Sequence, residues 1–182
     1  MKIGRYLRTT TASLGEVSPT VWTDVVDPGQ QSGPGDDQQS VILEQYKIYV
    51  EMADRVSARR GLTNTFFLTL NTLIATLVGT LRTDLPQVDP RYLAVPAAAL
   101  LIQCAAWYWL LRSYRQLNSA KYVVIGALEE RLPASPYWRA EWKALGEGRD
   151  PSRYWPLTHL EQWIPVSFAL VYVVAFVAVA VA

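Results

Sequence analysis

Three stretches of this chain, residues 62–81, 92–111 and 164–182, contain no Asp, Glu, Lys or Arg. Each is close to the ~20 residues that, at a rise of ~1.5 Å per residue, cross the ~30 Å hydrocarbon layer of a bilayer. A soluble helix of that length keeps a polar face for water, and these do not. In lipid a helix is tolerated because it satisfies its own backbone groups. The sequence therefore predicts an all-α membrane protein with three transmembrane helices.

Composition agrees. Hydrophobic residues make up 51% of the 182 and charged residues only 18%, below the usual quarter of a globular protein. The formal net charge is +1, which gives no field to attract nucleic acid. One cysteine, Cys104, and one histidine, His159, leave no set for a metal centre or a disulfide framework. No cofactor is expected. The opening "MKIGRYLRTT" is basic, but no apolar run follows it, so insertion is expected to use the internal segments.

Lys and Arg beside the spans set orientation. Arg55, Arg59 and Arg60 precede the first span, and Arg112, Arg115 and Lys121 follow the second. The connection "RTDLPQVDPR" balances its arginines with aspartates. Residues 82–91 are thus the external loop, with the N-terminus cytoplasmic and the C-terminus external.

The water-facing segments divide as follows. Residues 1–40, rich in Ser, Gly, Pro and Gln, read as a mobile cytoplasmic tail, with Val21, Trp22, Val25 and Val26 as the alternative, a docked strand or clamp. Residues 41–61 form a cytoplasmic amphipathic helix, with Ser40 as its N-cap. Ile42, Tyr46, Tyr49, Ala53 and Val56 share its buried face, and Lys47, Glu51 and Arg55 form a charged ladder. Residues 112–163 hold a cytoplasmic helix and an aromatic loop. No Pro interrupts the chain from the second span to Pro133, and Leu117, Ala120, Val124 and Leu128 keep helical spacing. One helix thus leaves the membrane there and pairs with the 41–61 helix, extending the first hairpin into the cytoplasm. Gly126 either weakens that helix or marks a close approach. In the loop a short helix is expected around residues 138–145. Thr158 and Glu161 have the spacing of a capping box, Pro165 should kink the third span, and Trp155 and Trp163 suit the membrane interface.

No catalytic motif occurs, so the chain reads as no enzyme. "GEGRDP" fits an anion-binding nest or a plain turn. The adjacent Glu129 and Glu130 point different ways on a helix and read as a solvated face. The first span is more informative. Thr65, Thr69, Thr72, Thr76 and Thr80 form one stripe along it, and Asn64 and Asn71 an adjoining one. Such a face suits helix packing, aided by Ala75 and Gly79, or the wet lining of a pore. Threonine is a weak polar marker because it can bond its own backbone. Gln103 suits an interhelical hydrogen bond, Cys104 a small hydrophobe, and His159 a capping contact or a pH sensor. Trp138, Trp142, Trp155 and Trp163 are the candidate interfacial or assembly residues.

The blocks "QYKIYVEMADRVSARRGLTNTFFLTLNT", "LNSAKYVVIGALEERLP", "YWRAEWKALGEG" and "YWPLTHLEQWIP" resemble the RipA family of small bacterial inner-membrane proteins, over about residues 43–170. The resemblance implies a homo-oligomer, an octamer, in the cytoplasmic membrane, acting as a scaffold or channel-like assembly without catalysis. It implies self and membrane lipid as partners. A further protein partner would meet "PYWRAEWKALGEG" or the tail. A second, weaker similarity is to SLATT-type membrane effectors, which implies a pore-forming role in bacterial defence or stress. The third span departs from that pattern.

Overall fold

A computed structural model describes residues 11–22, 36–84, 90–150, 152–154 and 157–181. Among them there is no strand. Four helices carry the fold: α1 (Leu14–Val21), α2 (Asp36–Asp84), α3 (Ala94–Glu129) and α4 (Leu157–Val181). A 3-10 turn, Pro90–Leu93, precedes α3, and Pro136–Glu141, Trp142–Ala144 and Gly146–Gly148 are short helical turns. Long, apolar stretches able to cross a membrane occur in α2, α3 and α4, so the fold is the all-α one expected, with three membrane helices.

Several boundaries differ from expectation. The helix expected from residue 41 begins at Asp36, because "DDQQ" carries no breaker and acidic residues suit a helix N-terminus. Ser40 is therefore inside α2 and is not its N-cap. The change of character at Gly61 is no backbone boundary, since α2 passes through it unbroken. Intrahelical hydrogen bonds serve equally in water and in lipid, and one glycine costs only about 1 kcal/mol. The segment read as a mobile tail contains α1, which a complete capping box starts: Ser13 N donates to Glu16 Oε2 (2.8 Å) and Glu16 N to Ser13 Oγ (3.3 Å).

The chain forms two compact units, Met1–Ser57 with Arg115–Trp155, and Ala58–Tyr114 with Pro156–Ala182. Both α2 and α3 contribute to each.

In the first unit α2 and α3 run antiparallel. Asn118 Nδ2 donates to Ser57 Oγ (3.4 Å), Lys121 lies over the Tyr49 ring (5.4 Å) and Tyr46 OH donates to Glu129 Oε1 (3.1 Å). Ile42 and Ala53 of the expected face are buried, as are Val123, Ile125, Ala127 and Leu128 of α3. Leu117 and Ala120, expected on the same α3 stripe, are exposed. Around residues 123–129 α3 is enclosed on nearly every side, so a one-sided stripe is the wrong pattern there. The Trp138 indole provides part of the cover. A Cβ on Gly126 would lie 2.6–2.9 Å from that ring, so Gly126 marks a close approach of an indole to the helix, not of two backbones.

In the second unit α2, α3 and α4 pack around Phe67, Trp107 and Leu111, with Ile164 and Phe168 against them. Phe67 and Trp107 stack (centroids 5.8 Å, planes 8° apart). Pro165 lies inside α4 and is fully buried. The outside of this unit is apolar. Leu62, Phe66, Ile102, Leu170 and Val174 are each more than half exposed, which suits lipid and not water.

Candidate functional site

In the second unit the two asparagines of α2 face inward. Asn64 Oδ1 accepts from Trp107 Nε1 (2.9 Å). Asn71 is fully buried. Its Nδ2 donates to Phe67 O (2.8 Å), and its Oδ1 accepts from Tyr172 OH (3.0 Å) and Cys104 Sγ (3.6 Å). One amide thus ties α2 to both α3 and α4. In hydrocarbon such bonds are worth about 1 kcal/mol each, a modest sum because the separated helices find other partners in the membrane. Arg60 Nε pairs with Glu161 Oε2 (3.2 Å), both mostly buried, and links the same two helices at another level. The capping box expected at Thr158 involves a side chain outside the described residues, as do those of His159 and Trp155. The Gln103 Nε2 is buried and meets no acceptor among the described residues.

The threonines are on another face. Thr65, Thr69, Thr72, Thr76 and Thr80 are all exposed, so neither α3 nor α4 covers them, and Asn71 is separated from them. Four of the five hydroxyls return to their own helix: Thr65 to Gly61 O (3.1 Å), Thr72 to Leu68 O (2.9 Å), Thr76 to Thr72 O (2.8 Å) and Thr80 to Thr76 O (3.2 Å). A hydroxyl satisfied in this way presents mainly its methyl group and oxygen edge. Ala75 and Gly79 are also exposed, giving α2 a narrow ridge of small side chains within an otherwise bulky apolar exterior.

The first unit is organised by Glu129. Its side chain is 1% exposed, the opposite of the solvated face expected. Oε1 accepts from Tyr46 OH (3.1 Å) and Tyr137 N (3.1 Å), and Oε2 from Ser135 Oγ (2.6 Å) and Trp138 N (2.9 Å). Four donors fill the lone-pair sites of a carboxylate. Two are the first free amides of the Pro136–Glu141 turn, whose N-cap Ser135 makes no side-chain cap bond of its own. Glu129 takes that role from the end of α3. Burial, and then the Glu129 carboxylate, push the Tyr46 hydroxyl well above the ordinary tyrosine range. Sequence reasoning missed this node. The available signal was Ser135-Pro136, a helix start whose free amides favour an anion.

Beyond it the loop continues through a left-handed turn, Gly146 (φ 73°), Glu147 (φ 57°) and Gly148 (φ 69°). Of the two readings of "GEGRDP", a turn is what forms. Asp150 accepts from Ser152 N (3.0 Å) and Ser152 Oγ (2.6 Å), and these bonds hold its carboxyl below the usual carboxylate range. Trp138 packs on Gly126, whereas Trp142 and Trp163 are largely exposed. Trp22, at the end of α1, lies under the Arg131 guanidinium (3.5 Å to the centroid). Among the described residues no three His, Cys, Asp or Glu side chains gather as a metal site needs.

Residues 43–181 match the octameric membrane protein family, 8xMP. The chain belongs to that family. The match covers most of the chain, from early α2 to the end of α4, and so includes the polar clasp of Asn71, the threonine ridge and the Glu129 node of an 8xMP protein. Comparison with curated proteins and with solved structures found no match.

Proposed function

We propose that this 8xMP protein is a homo-octamer of the cytoplasmic membrane, a non-catalytic scaffold ring whose subunits meet along the threonine ridge of α2. The observation that carries this reading is the uncovered ridge itself. Within the protomer Thr65, Thr69, Thr72, Thr76 and Thr80 are all exposed, yet small side chains are what lets helices approach closely in lipid. The family's octameric description supplies the neighbour. The arginines beside the spans support a cytoplasmic N-terminus and an external C-terminus, with residues 62–81, 92–111 and 164–182 in the bilayer and 82–91 outside. Membrane lipid covers the remaining apolar exterior, and a protein partner of the ring would meet the Trp142 lobe.

A second reading, a channel or pore-forming effector, is favoured by the continuity of the hydroxyl row, which would give a wet axis an unbroken polar lining. Ion flux in liposomes separates the two. The scaffold reading expects no flux from the wild type. The channel reading expects flux that Thr69→Leu, Thr72→Leu and Thr76→Leu together abolish. Flux in the wild type that these substitutions remove would replace the first reading by the second.

A further inference from the structure

The sequence of α1, "LGEVSPTV", is a poor one for a helix. It holds a glycine, a proline and three β-branched residues, all weak helix formers. Pro19 lies inside the helix and offers no amide to the preceding turn. So short a helix does not persist alone in water, because nucleation outweighs so little propagation. The Ser13–Glu16 capping box starts α1 but is not enough to hold it. Docking supplies the rest, and one face of α1 shows it. Leu14, Val17, Ser18, Val21 and Trp22 are half-buried, whereas Gly15, Glu16, Pro19 and Thr20 are exposed.

The receiving surface lies just beyond α3. The Arg131 guanidinium stands 3.5 Å from the centroid of the Trp22 ring, well within the ~6 Å reach of a cation–π contact. Arg131 N donates to Leu128 O (3.1 Å) and Leu132 N to Glu129 O (3.1 Å), and these bonds turn the chain out of the helix. The same stretch, residues 130–134, joins the buried Glu129 carboxylate to its donors on Ser135, Tyr137 and Trp138. Trp22 therefore grips the loop that the Glu129 node closes. Since α1 lies outside residues 43–181, this grip is an addition to the part of the chain that matches the family.

We propose that α1 is a clamp that folds as it docks: it is helical only while Trp22 lies on Arg131, and while docked it holds residues 130–134 in the shape that brings Ser135, Tyr137 and Trp138 onto Glu129. Folding and docking of α1 are then one equilibrium. A helix this poor adds little of its own, so the balance is set by one apolar face and one cation–π contact. The open state consequently lies close in free energy, which makes α1 a control on the rigidity of the Pro136–Glu141 turn. The clamp is independent of the subunit count.

Hydrogen exchange of the full chain in lipid nanodiscs tests it. In the wild type the amides of residues 16–21, Pro19 aside, should be protected. Trp22→Ala should abolish that protection and speed exchange of residues 131–138 about tenfold, as the loss of a partly desolvated cation–π contact implies, with residues 62–81 unchanged. Trp22→Phe, which keeps a ring for the guanidinium, should retain most of both. Ser13→Ala alters neither Trp22 nor Arg131, yet should also loosen residues 131–138, because losing the cap weakens the helix that delivers the ring. Unprotected α1 amides in the wild type would overturn the docking. Protection of α1 that survives W22A would overturn the role of Trp22. Loss of α1 protection in W22A, with residues 131–138 exchanging as in the wild type, would overturn the clamp by showing that α1 docks without holding the loop.

Discussion

At Glu129, a carboxylate with four donors has no isosteric substitute. In Glu129→Gln the amide nitrogen must face either Tyr137 N or Trp138 N, and a backbone N–H cannot turn round to accept. Tyr46 and Ser135 hydroxyls can reverse, so one opposed donor pair remains, at a cost of about 1–3 kcal/mol. Glu129→Ala orphans all the donors and should cost about 3–5 kcal/mol. Thermal unfolding in detergent should rank wild type above E129Q above E129A; equal midpoints would refute the node. Tyr46 adds a pH signature. Its folded-state pKa is raised, so the stability it contributes is present below the unfolded value of about 10 and is lost as pH rises beyond it, when a phenolate would face the carboxylate. Tyr46→Phe should lose the 3.1 Å hydrogen bond at neutral pH and also lose this alkaline step. A melting profile between pH 8 and 11 that is parallel for the two proteins would contradict it.

Among the elements, α2 is the one whose continuity most needs testing. Gly61 is exposed within it and has open space where a Cβ would go. Gly61→Ala should therefore stabilise by about 0.5–1 kcal/mol, and Gly61→Pro should destabilise by about 3 kcal/mol. A helix broken at this glycine would instead be insensitive to proline, with unchanged helicity and melting temperature. The existence of α2, α3 and α4 was legible in the sequence because uncharged stretches of ~20 residues have few alternatives. The face of α2 that meets α3 in the first unit was legible from the spacing of Ile42 and Ala53. Less visible were features that depend on contacts distant in sequence. Glu129 looked solvated because nothing local shows that Tyr46, 83 residues away, and the Pro136 turn converge on it. The inward face of Asn71 and the outward face of the threonines were legible only as two adjoining stripes. Periodicity groups residues on a helix but does not say which group meets the neighbouring helices.

For the whole molecule, the polar clasp explains how three helices hold together in a solvent that gives apolar side chains no reason to associate. Asn71, Asn64 and the Arg60–Glu161 pair direct their bonds inward, leaving the threonine ridge and a bulky apolar exterior outward. Such a protomer has one face suited to close helix contact and others suited to lipid, which is the asymmetry a ring requires. The most direct test of this account is the mass of the wild-type assembly ejected intact from lipid nanodiscs. The account predicts eight copies of the 20.4 kDa chain with residual bound lipid. A folded monomer that stays dispersed in buffer without any amphiphile would contradict it.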